Sequence, residues 1–74
     1  MTMAEQIIRA RKKAGLTQRE LAKQLNVTNK AVSRWETGKG YPDITLLEPI
    51  ADALRVSVAE LITGNPVRMS KEII

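Results

Sequence analysis

The sequence predicts an all-α domain built from five short helices. Three observations predict it. Aromatic residues are only 3% of the chain and strand formers are sparse, while Ala, Leu, Lys, Arg, Glu and Gln are common. Apolar residues recur at helical spacing between breaks. Each such segment opens on a Thr, Ser or Asp able to cap a helix, and four of the five close on Gly or Asn.

The first helix is expected over about Met3 to Ala14. Thr2 and Glu5 form a capping box, Ile7, Ile8 and Ala14 give an apolar stripe, and Gly15 stops it. The second runs from about Gln18 to Leu25. Thr17 and Glu20 cap it, Leu21, Ala22 and Leu25 face inward, and Asn26 follows in a position suited to a left-handed backbone. The third runs from about Asn29 to Thr37, with Thr28 as N-cap and Gly38 as its end. The fourth has two candidate starts, Asp43 and Thr45. Thr45 with Glu48 makes a capping box, and Pro49 favours that later start because proline is tolerated in a first turn. A start at Ile44 predicts a distortion near Pro49. This helix ends near Leu54. The fifth is short, Val58 to Thr63, capped by Ser57 with Glu60 and stopped by Gly64.

At 74 residues the chain fits one small domain, here assigned to residues 1–64, with a tail over 65–74. That tail either frays, packs on a partner or leads into a further region. There is no Cys and no His, so disulfides, thiol chemistry and the usual zinc sites are excluded, and no cofactor or metal is expected. No apolar run has the length of a membrane span, and the N-terminus shows no signal-peptide pattern. A cytoplasmic setting is expected.

Net charge is +4, and it is unevenly spread. Residues 1–40 carry +6, residues 41–74 carry −2, and no acid occurs from Leu21 to Trp35. A one-sided field of this kind suits an anionic partner. The third helix sharpens the point. On a helical wheel Ala31, Val32 and Trp35 share one face, and Asn29, Lys30, Ser33, Arg34 and Thr37 share the other. The other four helix starts place a Glu three residues after a Ser or Thr; this one has Ala31 there, with Lys30 before it. A carboxylate at that end would repel phosphate and meet acceptor-rich base edges. Its absence beside a polar, basic face fits entry into a DNA groove. The outward side chains match a major groove: Asn29 for adenine, Lys30 and Arg34 for guanine, and Ser33 as donor or acceptor. Trp35, on the apolar face, is expected in the core rather than stacked on a base. Tyr41 is given no role.

The stretch LTQRELAKQLNVTNKAVSRWETGKGYPDITLLEPIADALRVSVAELITG resembles the Cro/repressor-type helix-turn-helix family, the lambda-repressor-like or Xre-type DNA-binding domains. TQRELA, VTNKAVSRWETGK, PD, LLEPIADAL and VSVAEL occur in the family's order and spacing, and the resemblance covers about Ile7 to Gly64. It implies a compact five-helix domain whose second and third helices form the helix-turn-helix, the third lying in the major groove. By position, Asn29, Lys30, Ser33 and Arg34 then read bases. Thr17, Gln18, Thr28, Thr37 and Lys39 hold the phosphate backbone. The resemblance also implies a structural ion pair between Arg11 and Glu36; an exposed Glu36 near Lys39 is the other reading. Two positions where the family usually has Gly after the second and fourth helices are Asn26 and Arg55 here.

The leading functional expectation is a sequence-specific transcriptional regulator, a repressor, bound as a homodimer to a near-palindromic duplex operator. The alternative is a protein-interaction module or an antitoxin-like DNA-binding component of a larger complex, meeting its protein partner through the tail. An enzyme is not expected. Four of the eight acids belong to capping boxes, and no carboxylate pair is expected to converge in a pocket. A membrane role is not expected either, since ARKK is too short a basic patch.

Overall fold

The computed structural model describes residues 2–64. The expected tail over 65–74 lies outside the described residues. Five α-helices follow in order: α1 Met3–Lys13, α2 Gln18–Leu25, α3 Asn29–Glu36, α4 Leu47–Leu54 and α5 Val58–Thr63. A 3-10 turn, Ile44–Leu46, leads into α4. No strand occurs among the described residues.

Local chemistry sets most of the helix ends. Thr2 with Glu5 and Thr17 with Glu20 form complete capping boxes. Ser57 takes only the forward half of one, accepting from the Glu60 N–H at 2.9 Å. Each box satisfies N–H groups that a helix start leaves without partners. Their acids titrate below the ordinary carboxylate range. For both Glu5 and Glu20 the main cause is the cap residue's backbone N–H, followed by its hydroxyl. Ala14, expected inside the apolar stripe of α1, is instead its exposed C-cap.

The fourth helix start corrects the sequence reading. The Thr45–Glu48 capping box does not form. Asp43 caps instead, accepting from the N–H and the hydroxyl of Thr45. The 3-10 turn then delivers the chain to Leu47, so Pro49 becomes the third residue of α4. A proline there removes an N–H that has no intrahelical acceptor. The expected distortion is thus taken up before Pro49, as a tighter turn.

One aliphatic core holds the helices together. Ile7 and Ala10 of α1, Leu21, Ala22 and Leu25 of α2, Val32 and Trp35 of α3, Ile50, Ala51 and Leu54 of α4, and Leu61 of α5 are all buried. Fully burying a side chain of Leu or Ile size contributes roughly 1.5–3 kcal/mol. α3 packs on α2 and α1, while α4 and α5 close the far side against α2 and α1. Trp35 is 7% exposed, so it packs in the core and offers no stacking platform.

Asn26 and Arg55, the two departures from glycine, both adopt the left-handed backbone, with φ of 59° and 60°. Asn tolerates it; Arg pays about 1–2 kcal/mol of Cβ clash. Arg55→Gly should therefore stabilise the domain by about 1 kcal/mol, after allowing for the extra freedom of glycine in the unfolded chain. A thermal melt checks this: a rise of roughly 4–8 °C is expected for a domain of this size. An unchanged midpoint would mean that contacts of the Arg55 side chain offset the strain.

Candidate nucleic-acid interface

The exposed face of α3 is built by the burial of its opposite face. Val32 is fully buried and Trp35 nearly so, while Asn29, Lys30, Arg34 and Thr37 are exposed and Ser33 is half-buried. At 100° per residue this orientation turns Asn29, Lys30 and Arg34 outward together, while Glu36 at the end of the helix is buried. Thr28 caps α3, its Oγ1 accepting from the Ala31 N–H at 3.1 Å. The first turn contains no acid. The hydroxyl proton of Thr28 and the N–H groups of Asn29 and Lys30 therefore sit at a helix end whose dipole favours an anion.

The four expected base readers are not equivalent. Asn29 and Lys30 project from the first turn. Arg34 is partly engaged: one of its terminal nitrogens donates to the carbonyl of Lys39 at 3.1 Å. The main-chain N–H of Lys39 donates back to the carbonyl of Arg34 at 3.0 Å. The left-handed Gly38, at φ 75°, makes that reversal of the chain accessible. A Cβ on Gly40 would lie 3.7 Å from the guanidinium, so Arg34 lies along this loop. A guanidinium has five N–H donors, and most of those of Arg34 remain for another acceptor.

The expected phosphate ligands also separate. Thr17 Oγ1 accepts from the Glu20 N–H at 3.0 Å, and its hydroxyl proton, which also helps to hold the Glu20 carboxyl below the ordinary range, must turn from that carboxylate to reach a phosphate. The main-chain N–H groups of Gln18 and Arg19 open α2 and have no intrahelical acceptor by position. Glu20 brings a carboxylate to the same helix end, and the Thr17 N–H holds it at 2.8 Å. Lys39 is exposed in the loop after α3. Thr37 is turned inward: its hydroxyl is shared between the carbonyls of Ser33 (3.0 Å) and Arg34 (3.2 Å). It has one proton, so it must release that contact before donating to a phosphate.

The ion pair between Arg11 and Glu36 is present and largely buried. Arg11 Nε lies 2.6 Å from Glu36 Oε2, and the two side chains are 12% and 4% exposed. A second guanidinium nitrogen donates to Glu36 Oε1 at 3.1 Å, and the third to the Leu16 carbonyl at 2.8 Å. The reading of Glu36 as an exposed neighbour of Lys39 is excluded by its burial. The Gln18 side chain, expected at a phosphate, donates from Nε2 to Glu36 Oε1 at 2.9 Å. Sequence reasoning missed this bond and the one from Arg34 to Lys39. The signal available was a buried carboxylate with more lone pairs than one arginine fills.

The profile of the helix-turn-helix family matches residues 7–61. The HTH-type transcriptional activator BcrR of Enterococcus faecalis is 41% identical over 65 residues, which cover 88% of this chain and 32% of that protein. The cryptic phage CTXphi transcriptional repressor RstR of Vibrio cholerae is 33% identical over 61 residues, covering 82% of this chain and 54% of that one. The chain thus spans about a third and about half of these two curated relatives. Among solved structures, the P22 c2 repressor in complex with a synthetic operator superposes with a TM-score of 0.83 at 34% identity, over 88% of this chain and 98% of that one. The family profile falls on the helices and the interface just described, and this chain belongs to the helix-turn-helix family, in its Cro/repressor (Xre) type.

Proposed function

We propose that the chain is a sequence-specific, duplex-DNA-binding transcriptional regulator that reads its site with α3 in the major groove. The observation that carries this reading is the face of α3: exposed, hydrogen-bonding and free of acid, on a helix held from behind by Val32 and Trp35. Asn29, Lys30, Ser33 and Arg34 are the base readers. Thr17, the N–H end of α2, Thr28 and Lys39 hold phosphates, and Thr37 joins them once its hydroxyl turns. The P22 c2 repressor, which superposes over nearly the whole of its chain and is bound to a synthetic operator, supports duplex DNA as the partner, and the helix-turn-helix geometry then puts the third helix in the major groove. The protein acts in the cytoplasm, where its DNA is.

Repression is the sense we infer. RstR and the P22 c2 protein are repressors, whereas BcrR is an activator. Occluding a promoter requires only that the domain occupy its operator. The active species is a homodimer on a near-palindromic site, with half-sites about one helical turn apart. The test is selection from random duplex DNA at about 150 mM salt, a concentration at which non-specific binding is weak. Enrichment of two related half-sites supports the reading. Unselective binding removes the four side chains as base readers and favours the interaction-module alternative.

Lys39→Ala tests the phosphate contacts. It should weaken binding to all duplexes nearly equally and reduce the slope of log K against log salt by about one unit. A slope unchanged from that of the native chain would take Lys39 out of the phosphate set.

A further inference from the structure

We propose that Gln18 is a positioning residue: through Glu36 it ties the phosphate-holding end of α2 to the far end of the base-reading helix. This rests on the DNA-binding reading above and assigns the Gln18 side chain a task other than touching DNA.

Glu36 is the last residue of α3 and is 8% exposed. A carboxylate at a helix C-terminus faces the negative end of the dipole, and burial adds a desolvation cost. It is tolerable only when its lone pairs are well filled. Arg11 occupies both oxygens, at 2.6 and 3.1 Å, and Gln18 Nε2 adds a third bond to Oε1 at 2.9 Å. An amide suits this place. It donates a hydrogen bond without adding charge, whereas a carboxylate here would repel Glu36.

The geometry gives the bond a consequence. Gln18 is the first residue of α2, so its main-chain N–H belongs to the proposed phosphate anchor while its side chain holds the end of α3. Arg11 extends the same tie to α1 and to the Leu16 carbonyl in the turn before α2. Seating a phosphate at α2 therefore also sets the depth and tilt at which Asn29, Lys30, Ser33 and Arg34 meet the bases. Loss of the tie loosens base reading more than phosphate binding.

The test uses Gln18→Ala in two backgrounds, native and Arg11→Met/Glu36→Leu, the second lacking the acceptor without stranding a charge. In the native background, affinity for the selected operator should fall ~tenfold, about what one charge-assisted hydrogen bond is worth, and affinity for random duplex should fall less than twofold. In the second background the same substitution should change both by less than twofold. Equal losses on operator and random duplex, in both backgrounds, would show that the amide is itself a phosphate ligand and would overturn the proposal. A second measurement needs no DNA and no second background: the Gln18 side-chain NH2 resonances of the native chain. Signals displaced and protected from exchange support the tie; signals of a solvated amide overturn it. Failure of the native chain to select any operator would instead strike the DNA-binding reading, and the NH2 signals would still decide whether the tie exists.

Discussion

Arg11→Ala should bring the domain close to unfolding at room temperature. Truncating one partner of a buried ion pair costs about 3–5 kcal/mol, because the other charge is left without a counterion. The whole stability of a 74-residue domain is roughly 4–11 kcal/mol at the usual value per residue. Here the stranded group would be Glu36, whose side chain is 4% exposed and lies at a helix C-terminus. The Leu16 carbonyl would lose its donor as well. Denaturant unfolding followed by circular dichroism reads the loss directly. Replacing both partners, Arg11→Met with Glu36→Leu, should recover most of it, since apolar side chains of similar volume carry no desolvation cost. Recovery falls short of complete because Gln18 and Leu16 lose their partners. A loss below about 1 kcal/mol for Arg11→Ala is the size found for a solvated surface pair, and would show that water reaches the carboxylate.

The second large effect concerns base reading. Asn29→Ala should cost ~1–3 kcal/mol on the best operator and much less on operators changed at one base pair, the position that Asn29 contacts. Its side chain is exposed in the first turn of α3, so its removal disturbs little of the fold. Arg34→Ala should behave differently. Its guanidinium also holds the carbonyl of Lys39, so part of its loss should appear on every duplex, as weakened backbone contact, and part at a single base pair. Arg34→Lys should restore little of either part, since an ammonium lacks the fork that serves two acceptors at once. Titrations against the operator and its single-base variants separate the two parts. An Arg34→Ala loss equal on all sequences would leave Arg34 as a loop anchor alone. An Asn29→Ala loss spread evenly over all sequences would remove Asn29 from the base readers.

Much of the architecture was legible because it is local. Capping boxes at Thr2 and Thr17, the left-handed residues at Asn26 and Gly38, and the burial of Val32 and Trp35 each depend on groups within a few residues of one another. The same holds for the outward set on α3, which one apolar stripe orients. The start of α4 was less legible, although it too is local. Two caps competed there, and both Asp43 and Thr45 are good ones. Asp43 prevailed because the 3-10 turn it caps already contains Thr45, so Thr45 sits within a turn instead of on the extended backbone that an N-cap requires.

The roles of single side chains were harder, because one side chain can serve several partners. Gln18 has an amide that suits a phosphate or a carboxylate equally well. Thr37 has a hydroxyl that suits a phosphate or its own helix. Which acceptor is met depends on what lies within 3 Å, and that depends on how the helices pack.

By itself the sequence determined five helices, the caps of all but the fourth, an aliphatic core and a basic, acid-free face on the third helix, since these follow from spacing and side-chain chemistry along one chain. Only the tertiary structure decided that Arg11, Gln18 and Glu36 share one buried carboxylate, for residues 18 and 25 positions apart in the chain meet only when α1, α2 and α3 pack. Low dielectric then makes that shared charge matter: a bond that would count for little in water holds the end of the reading helix in place.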